Sequence, residues 1–306
     1  MLHLRLITPA EKTDDVVRLI ERTVGTTHLV VLPGTARNPE GDVVMCDVAR
    51  EAGDELLTEL QRLGLDNTGS IAVENIDLSL SKRADKAEAE APGEGADAVL
   101  WEHLTEATHE ESTLSATYLA FITLATMIAA CGVVLDNAVL IVGAMAVGPE
   151  FGPLAGISTS IVQRAPRLAL RSLIALLVGF AVAMVVTVGF SLFMDALDLF
   201  SKDQLEADRP QTGFVYAPDA FSFIVAVLAG AAGTLSLTSA KSGALVGVAI
   251  SVTTVPAAAN AAVALSYGDT EQTWGSTEQL LLNLLGIILA GTVTLLLQKW
   301  AWRKRT

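Results

Sequence analysis

The sequence predicts an α-helical integral membrane domain of six spans, open to a 3+3 inverted repeat with broken helices. A small α+β ferredoxin-like (βαββαβ) soluble domain precedes it. Three observations carry this fold class. Long apolar runs begin only after residue 113, in a chain of 306 residues that is 51% hydrophobic. The first 113 residues hold 23 acids against 10 bases, and the rest hold 11 against 10. The apolar part also contains Val139–Gly156, with prolines at 149 and 153, glycines at 143, 148, 152 and 156, and one carboxylate, Glu150. Proline removes a backbone donor and clashes with the preceding turn. A break of that kind survives in hydrocarbon only where protein or a water-filled cavity satisfies the freed carbonyls.

Residues 1–80 read as the soluble domain. Leu2–Ile7 alternates like a strand, and Thr8-Pro9-Ala10-Glu11 starts a helix with Val16, Leu19 and Ile20 on one face. The β-branched run Thr27–Leu32 is a second strand, stopped by Pro33-Gly34. Pro33–Asp42 is a loop by composition. Val43–Val48 is a third strand, Glu51–Leu63 a second helix and Gly69–Leu80 a fourth strand. That order is the split βαβ arrangement, a frame for ligand sensing or passive oligomerisation that by itself implies neither. Its acidity argues against nucleic acid as a partner. The opening residues are too soon interrupted to be a signal peptide, so the N-terminus is expected in the cytoplasm.

Residues 81–98 have the composition of an acidic, flexible linker. Residues 99–113 read as a juxtamembrane helix, with Trp101 at the water–lipid boundary. His103 and His109 stand six apart, which does not bring two imidazoles to one helix face as a zinc helix does, so no metal site is expected. Cys46 and Cys131 fall in different domains and make no disulfide framework.

Within the membrane domain, residues 114–306, six stretches approach the roughly 20 apolar residues that a span needs. They are Leu114–Leu135, Ala138–Val162, Ser172–Met194, Ala220–Thr238, Ser242–Tyr267 and Leu280–Leu297, and Glu150 is the one formal charge inside them. With both termini cytoplasmic, the inward loops carry eight Lys and Arg residues and the outward loops two. The positive-inside rule therefore selects this orientation, in a plasma membrane. The outward segment 195–219 reads as an acidic, solvated loop, and Pro166 as a turn device.

Three spans per half would insert the second half upside-down, as in many secondary transporters. Span five, with Pro256, then corresponds by position to span two, although few letters align. Glu150 is expected to relay a proton or cation, or else to line an aqueous cleft or an oligomer interface. Gly148, Pro149, Gly152 and Pro153 shape its break. Ser239, Thr253, Thr254 and Asn260, near Pro256, supply neutral oxygens for an ion or polar solute, or bond back to helices. Lys241 stands at the inner mouth. No metalloprotease, serine-hydrolase or phosphate-loop motif occurs, so an enzyme is not expected, and no cofactor is identified.

Ile141-Val142-Gly143-Ala144-Met145 followed by Gly148-Pro149 resembles the hallmark segment of an uncharacterised prokaryotic hydrophobic membrane family, domain of unknown function 389. Residues 236–248, Pro256–Asn260 and Leu281–Gly286 resemble its second half. The resemblance spans roughly residues 100–300 and implies a multi-span membrane domain, often behind a soluble one, with no established reaction. The expected function is a membrane transporter or channel-like protein for a small polar solute or ion. It would act as a homo-oligomer, first of all a trimer, whose cytoplasmic domain oligomerises or senses. The competing class is a non-transporting scaffold or sensor whose soluble domain binds a small ligand.

Overall fold

The computed structural model describes residues 1–76, 78–91, 93, 98–239 and 253–303. The chain forms two compact units, Met1–His103 with Thr238–Ala240 and Ala301–Thr306, and Leu104–Leu237 with Lys241–Trp300.

In the first unit β1 (Leu2–Thr8) is followed by α1 (Thr13–Arg22), β2 (Thr26–Arg37), β3 (Glu40–Val48), α2 (Arg50–Arg62) and β4 (Ser70–Asn75). The four strands make one antiparallel sheet in the order β2-β3-β1-β4. The period of two along β1 sends Leu2, Leu4 and Leu6 inward, where Val44, Cys46 and Val48 of β3 join them. Leu19 and Ile20 of α1 and Leu56 and Leu60 of α2 close the same core.

Two expectations are corrected here. Pro33–Asp42 is not a loop: β2 runs through Pro33 to Arg37 and β3 starts at Glu40. Pro33 is tolerated because β2 is an edge strand, and the register shifts between Leu32 and Ala36. Nor is the linker structureless, since α3 occupies Lys82–Glu90. Its Ala, Glu and Lys residues are strong helix formers, Ser81 caps its first turn, and Ala84 and Ala87 are buried.

The second unit is helical. After α4 (Trp101–Glu111) come α5 (Ala116–Val134), α6 (Ala138–Val147), α7 (Phe151–Gln163), α8 (Pro166–Asp195), α9 (Ala220–Thr238), α10 (Thr254–Ser266) and α11 (Thr270–Arg303). Four of these, α5, α8, α9 and α11, are long and apolar enough to cross a membrane. The pair α6–α7 passes the same test together but is bent by 53°. Among the described residues there are thus four candidate apolar spans, or five if the bent pair is one. Of the expected fifth span only α10 is described; residues 240–252, with Lys241, lie outside the described residues.

Pro166 is more than a turn residue. It is the first residue of α8, where the missing amide hydrogen has no helical partner to lose. Segment 195–219 also departs from the expected solvated loop: Phe200, Leu205, Arg209, Thr212 and Val215 are buried. Asp136 accepts from the Gln211 and Thr212 amides and the Thr212 hydroxyl, at 2.9 to 3.4 Å, and so folds the segment back onto the end of α5.

Asp42 ties the first unit's hairpin to α1. Its carboxylate accepts from Thr13 Oγ1 at 2.6 Å and from the Gly34 amide at 2.8 Å. These donors favour the ionised form, chiefly the Thr13 hydroxyl, and hold the carboxyl below its usual range. A folded-state pKa below the unfolded one gives stabilisation that is present above about pH 4 and lost as pH falls through the folded value. Asp42→Asn is therefore expected to lower the urea midpoint at pH 7, followed by exchange of β1 and β3 amides. The deficit should shrink below about pH 4, and a deficit unchanged from neutral to acid would refute the assignment.

Candidate functional site

The break between α6 and α7 is local in origin. Gly148 is extended, Pro149 supplies no donor, and Glu150 precedes the first turn of α7. Pro153 is the third residue of α7, and Pro256 is the third residue of α10. First-turn amides have no partner within a helix, so each proline begins a helix and interrupts none.

The starts of α7 and α10 meet at a hydrogen bond. Thr254, the first residue of α10, donates its hydroxyl to Glu150 Oε1 at 2.7 Å. Glu150 is 4% exposed, Thr254 is fully buried, and Glu150 Oε2 has no partner among the described residues. Two helix N-termini therefore converge on one carboxylate, an arrangement their dipoles favour. The carboxylate fits because position 148 is glycine. A Cβ there would lie 2.3 Å from Glu150 Oε2 and 2.9 Å from Val255 Cγ2.

From this point polar groups continue along α10 and α11. Thr253 Oγ1 accepts from Asn283 Nδ2 at 2.6 Å and, more distantly, from Gln279 Nε2 at 3.5 Å. Further along, buried Asn260 donates to Ser276 Oγ at 2.7 Å and accepts from Arg209 Nη1 at 2.9 Å. Arg209 Nη2 donates to Gln272 Oε1 at 2.5 Å, and the guanidinium lies 4.7 Å from the centroid of the Tyr216 ring. Arg209 is 3% exposed. Burial pulls its pKa down, opposed by Tyr216, Asp136 and Asp269, but an arginine stays charged regardless. A cavity of about 270 Å³, lined by Phe214, Asp219, Phe221, Val225, Thr253 and Asn283, reaches from segment 195–219 to Thr253.

Of the residues singled out in the sequence, Glu150, Gly148 and Thr254 share one site, with Pro149 forming the turn beside them. Thr253 and Asn260 lie on the polar stripe. Gly152 serves a different contact, since a Cβ there would meet Glu111 Cβ at 2.5 Å. Ser239 falls just past the end of α9. Sequence reasoning missed Gln272, Ser276, Gln279 and Asn283. Their steps of four, three and four put them on one face of α11, a signal present in the letters. It also counted Arg209 as a loop charge and nothing more.

Residues 145–289 match the family model described as Domain of unknown function (DUF389). This segment is similar to that family. It contains Glu150, Arg209, Thr254, Asn260 and the α11 stripe, so the whole site lies within the matched region, in agreement with the resemblance read from the residues. Over 208 residues the chain is 27% identical to the uncharacterized protein MJ0678 of Methanocaldococcus jannaschii, a stretch that is 67% of this chain and 62% of that relative. The chain thus spans less than two thirds of the length of the curated relative it matches. No solved structure matches the chain.

Gly148→Ala in the matched segment is expected to lower the thermal midpoint of the purified protein, because the methyl group collides with the Glu150 carboxylate. Overpacking of this kind costs about 1–3 kcal/mol. Adding Glu150→Ala should restore part of the loss relative to Glu150→Ala alone. Strictly additive effects in this double-mutant cycle would show that the two positions do not touch.

Proposed function

We propose that the chain is a membrane transporter or channel-like protein for a small polar solute or ion, and that Glu150 stands on its pathway. One observation carries the reading: a carboxylate is buried where two helix N-termini meet inside an apolar helical unit. Such a group is expensive to retain in hydrocarbon without a task. The stripe Asn260, Ser276, Gln279, Thr253 and Asn283, and the cavity that reaches Thr253, give a polar solute groups to bind. In this reading spans two and five are the broken members of a 3+3 inverted repeat. The full set is then six spans, with both termini in the cytoplasm of a plasma-membrane protein. The order of elements and of strands in the first unit supports a ferredoxin-like domain that associates into a homo-oligomer, a trimer first, or senses a ligand. No chemical transformation is assigned to the membrane unit.

A second reading has its own observation. A groove of about 980 Å³ in the first unit is lined by Leu19, Val24, Ala52, Glu55, Leu56 and Glu59. It suits a ligand-binding sensor, with the breaks then serving packing only.

Proteoliposomes separate the two. With wild-type protein, imposed gradients of monovalent cations or small polar metabolites are expected to dissipate, and Glu150→Gln should slow the responsive flux at least ~10-fold, the scale of a lost charge interaction of about 1.4 kcal/mol, with its thermal midpoint retained. Equal flux in the variant removes Glu150 from the pathway. Absence of flux, with ligand-induced thermal stabilisation abolished by Glu55→Lys and not by Glu150→Gln, favours the sensor.

A further inference from the structure

We propose that the first unit carries a serine hydrolase site formed by Ser81, His28 and Asp47, acting on small esters with an apolar acyl group. This is independent of the transport reading. Three sequence-distant residues are brought together on the sheet face opposite the leucine core. His28 Nε2 lies 2.9 Å from Ser81 Oγ, and His28 Nδ1 lies 2.7 Å from Asp47 Oδ2. The other carboxylate oxygen, Oδ1, is 2.7 Å from His3 Nδ1.

The carboxylate fixes the tautomer. An ionised Asp47 can only accept, so each imidazole bonded to it carries its proton on Nδ1. Neutral His28 then presents a lone pair at Nε2 to the Ser81 hydroxyl, the state a general base requires. His3 lies across from Asp47 in the β1–β3 register and occupies the oxygen that His28 does not use, which fixes the carboxylate's rotation. The side chain of Asp47 is mostly buried, whereas those of both histidines are about one third exposed, so the base is reachable from solvent. His28 holds a backbone φ of +50°, left-handed for a residue with a Cβ, within the register shift between Thr27 and Val30. Strain of this kind persists only where surrounding bonds impose it.

Ser81 also sits at the N-terminus of α3. The Arg83 and Ala84 amides point at its Oγ, at 3.3 and 3.4 Å. These donors and the helix dipole favour negative charge on Oγ as its proton passes to His28. Leu78 and Leu80, just before the serine, are 74% and 91% exposed and provide an apolar surface for the acyl group.

In the first half-reaction His28 Nε2 takes the Ser81 proton as Oγ bonds to the ester carbonyl carbon and the carbonyl π pair moves to oxygen. Collapse breaks the bond to the alcohol, which leaves with the proton from Nε2. Water then attacks the acyl-serine, gives its proton to Nε2, and releases the acid as Ser81 Oγ recovers that proton. The net reaction is ester plus water to acid plus alcohol.

The test uses the full chain in detergent with p-nitrophenyl butyrate and a fluorophosphonate probe. Expected are hydrolysis and a single phosphonyl adduct mapped to Ser81. Ser81→Asn keeps a helix-capping side chain and should abolish both, while His28→Gln should reduce both ~100-fold or more. Asp47→Asn, which cannot hold the tautomer, should lower the rate with an unchanged KM. Thermal midpoints report folding of each variant. Wild-type protein that neither hydrolyses nor labels above Ser81→Asn, or that labels at another serine, overturns the proposal.

Discussion

A single hydrogen bond, from the Thr254 hydroxyl to the Glu150 carboxylate, fixes the geometry of the membrane unit. An ionisable group cannot lie within apolar helices unless the backbone around it is arranged to receive it. Here the arrangement is explicit. Gly148 leaves room for the second carboxylate oxygen, Pro149 ends α6, and α7 and α10 both begin where the carboxylate lies. The 53° bend between α6 and α7 follows from starting a new helix at this point. Around it α10 packs against α5 and α8, through a run of alanines small enough to let the backbones close.

The second constraint is Arg209. A buried guanidinium without a carboxylate in direct contact must be compensated by neutral oxygens, an aromatic face and more distant acids. Asn260, Gln272, Tyr216, Asp136 and Asp269 supply these. The same bonds hold segment 195–219 against α10 and α11. One stripe of polar side chains therefore runs from a buried cation to Thr253, next in the chain to the residue that bonds to Glu150. The apolar remainder of α11 meets its neighbours through small residues: a Cβ at Gly230 of α9 would lie 2.7 Å from the Ile287 carbonyl oxygen.

What could be read from the letters was what depends on local pattern. The alternation in Leu2–Ile7, the leucine face of α2 and the long apolar runs each report a neighbourhood a few residues wide, and these elements were legible. So was the break at Pro149, because proline acts on its own turn. Strand β2 was truncated in the sequence reading because Pro33 stops a central strand, and only the sheet order shows that β2 is an edge. The segment 82–90 was misjudged because an Ala/Glu/Lys composition serves a solvated coil and a helix equally well. Two alanines covered by tertiary contacts decide between them. Arg209 was invisible as a buried group, since burial of a loop charge depends on partners 51 and 63 residues away. His28, Asp47 and Ser81 are further apart still in kind: a strand bulge, the centre of a neighbouring strand and a helix cap share no local signature.

The starts of α7 and α10 show how one backbone device serves two different segments. Residues 151–153 read Phe-Gly-Pro and residues 254–256 read Thr-Val-Pro, so only the proline is shared, yet it falls at the third position of its helix in both. Selection on packing acts on each letter separately, because the neighbours of the two segments differ. The backbone requirement does not differ: each segment must begin a helix where polar side chains are held. Proline in a first turn meets that requirement without losing a hydrogen bond. Glu150 at the start of α7 contributes the carboxylate and Thr254 at the start of α10 the hydroxyl that bonds to it, so the two segments supply complementary halves of one interaction. Their letters differ where the proline does not, and that difference is what lets them form a site.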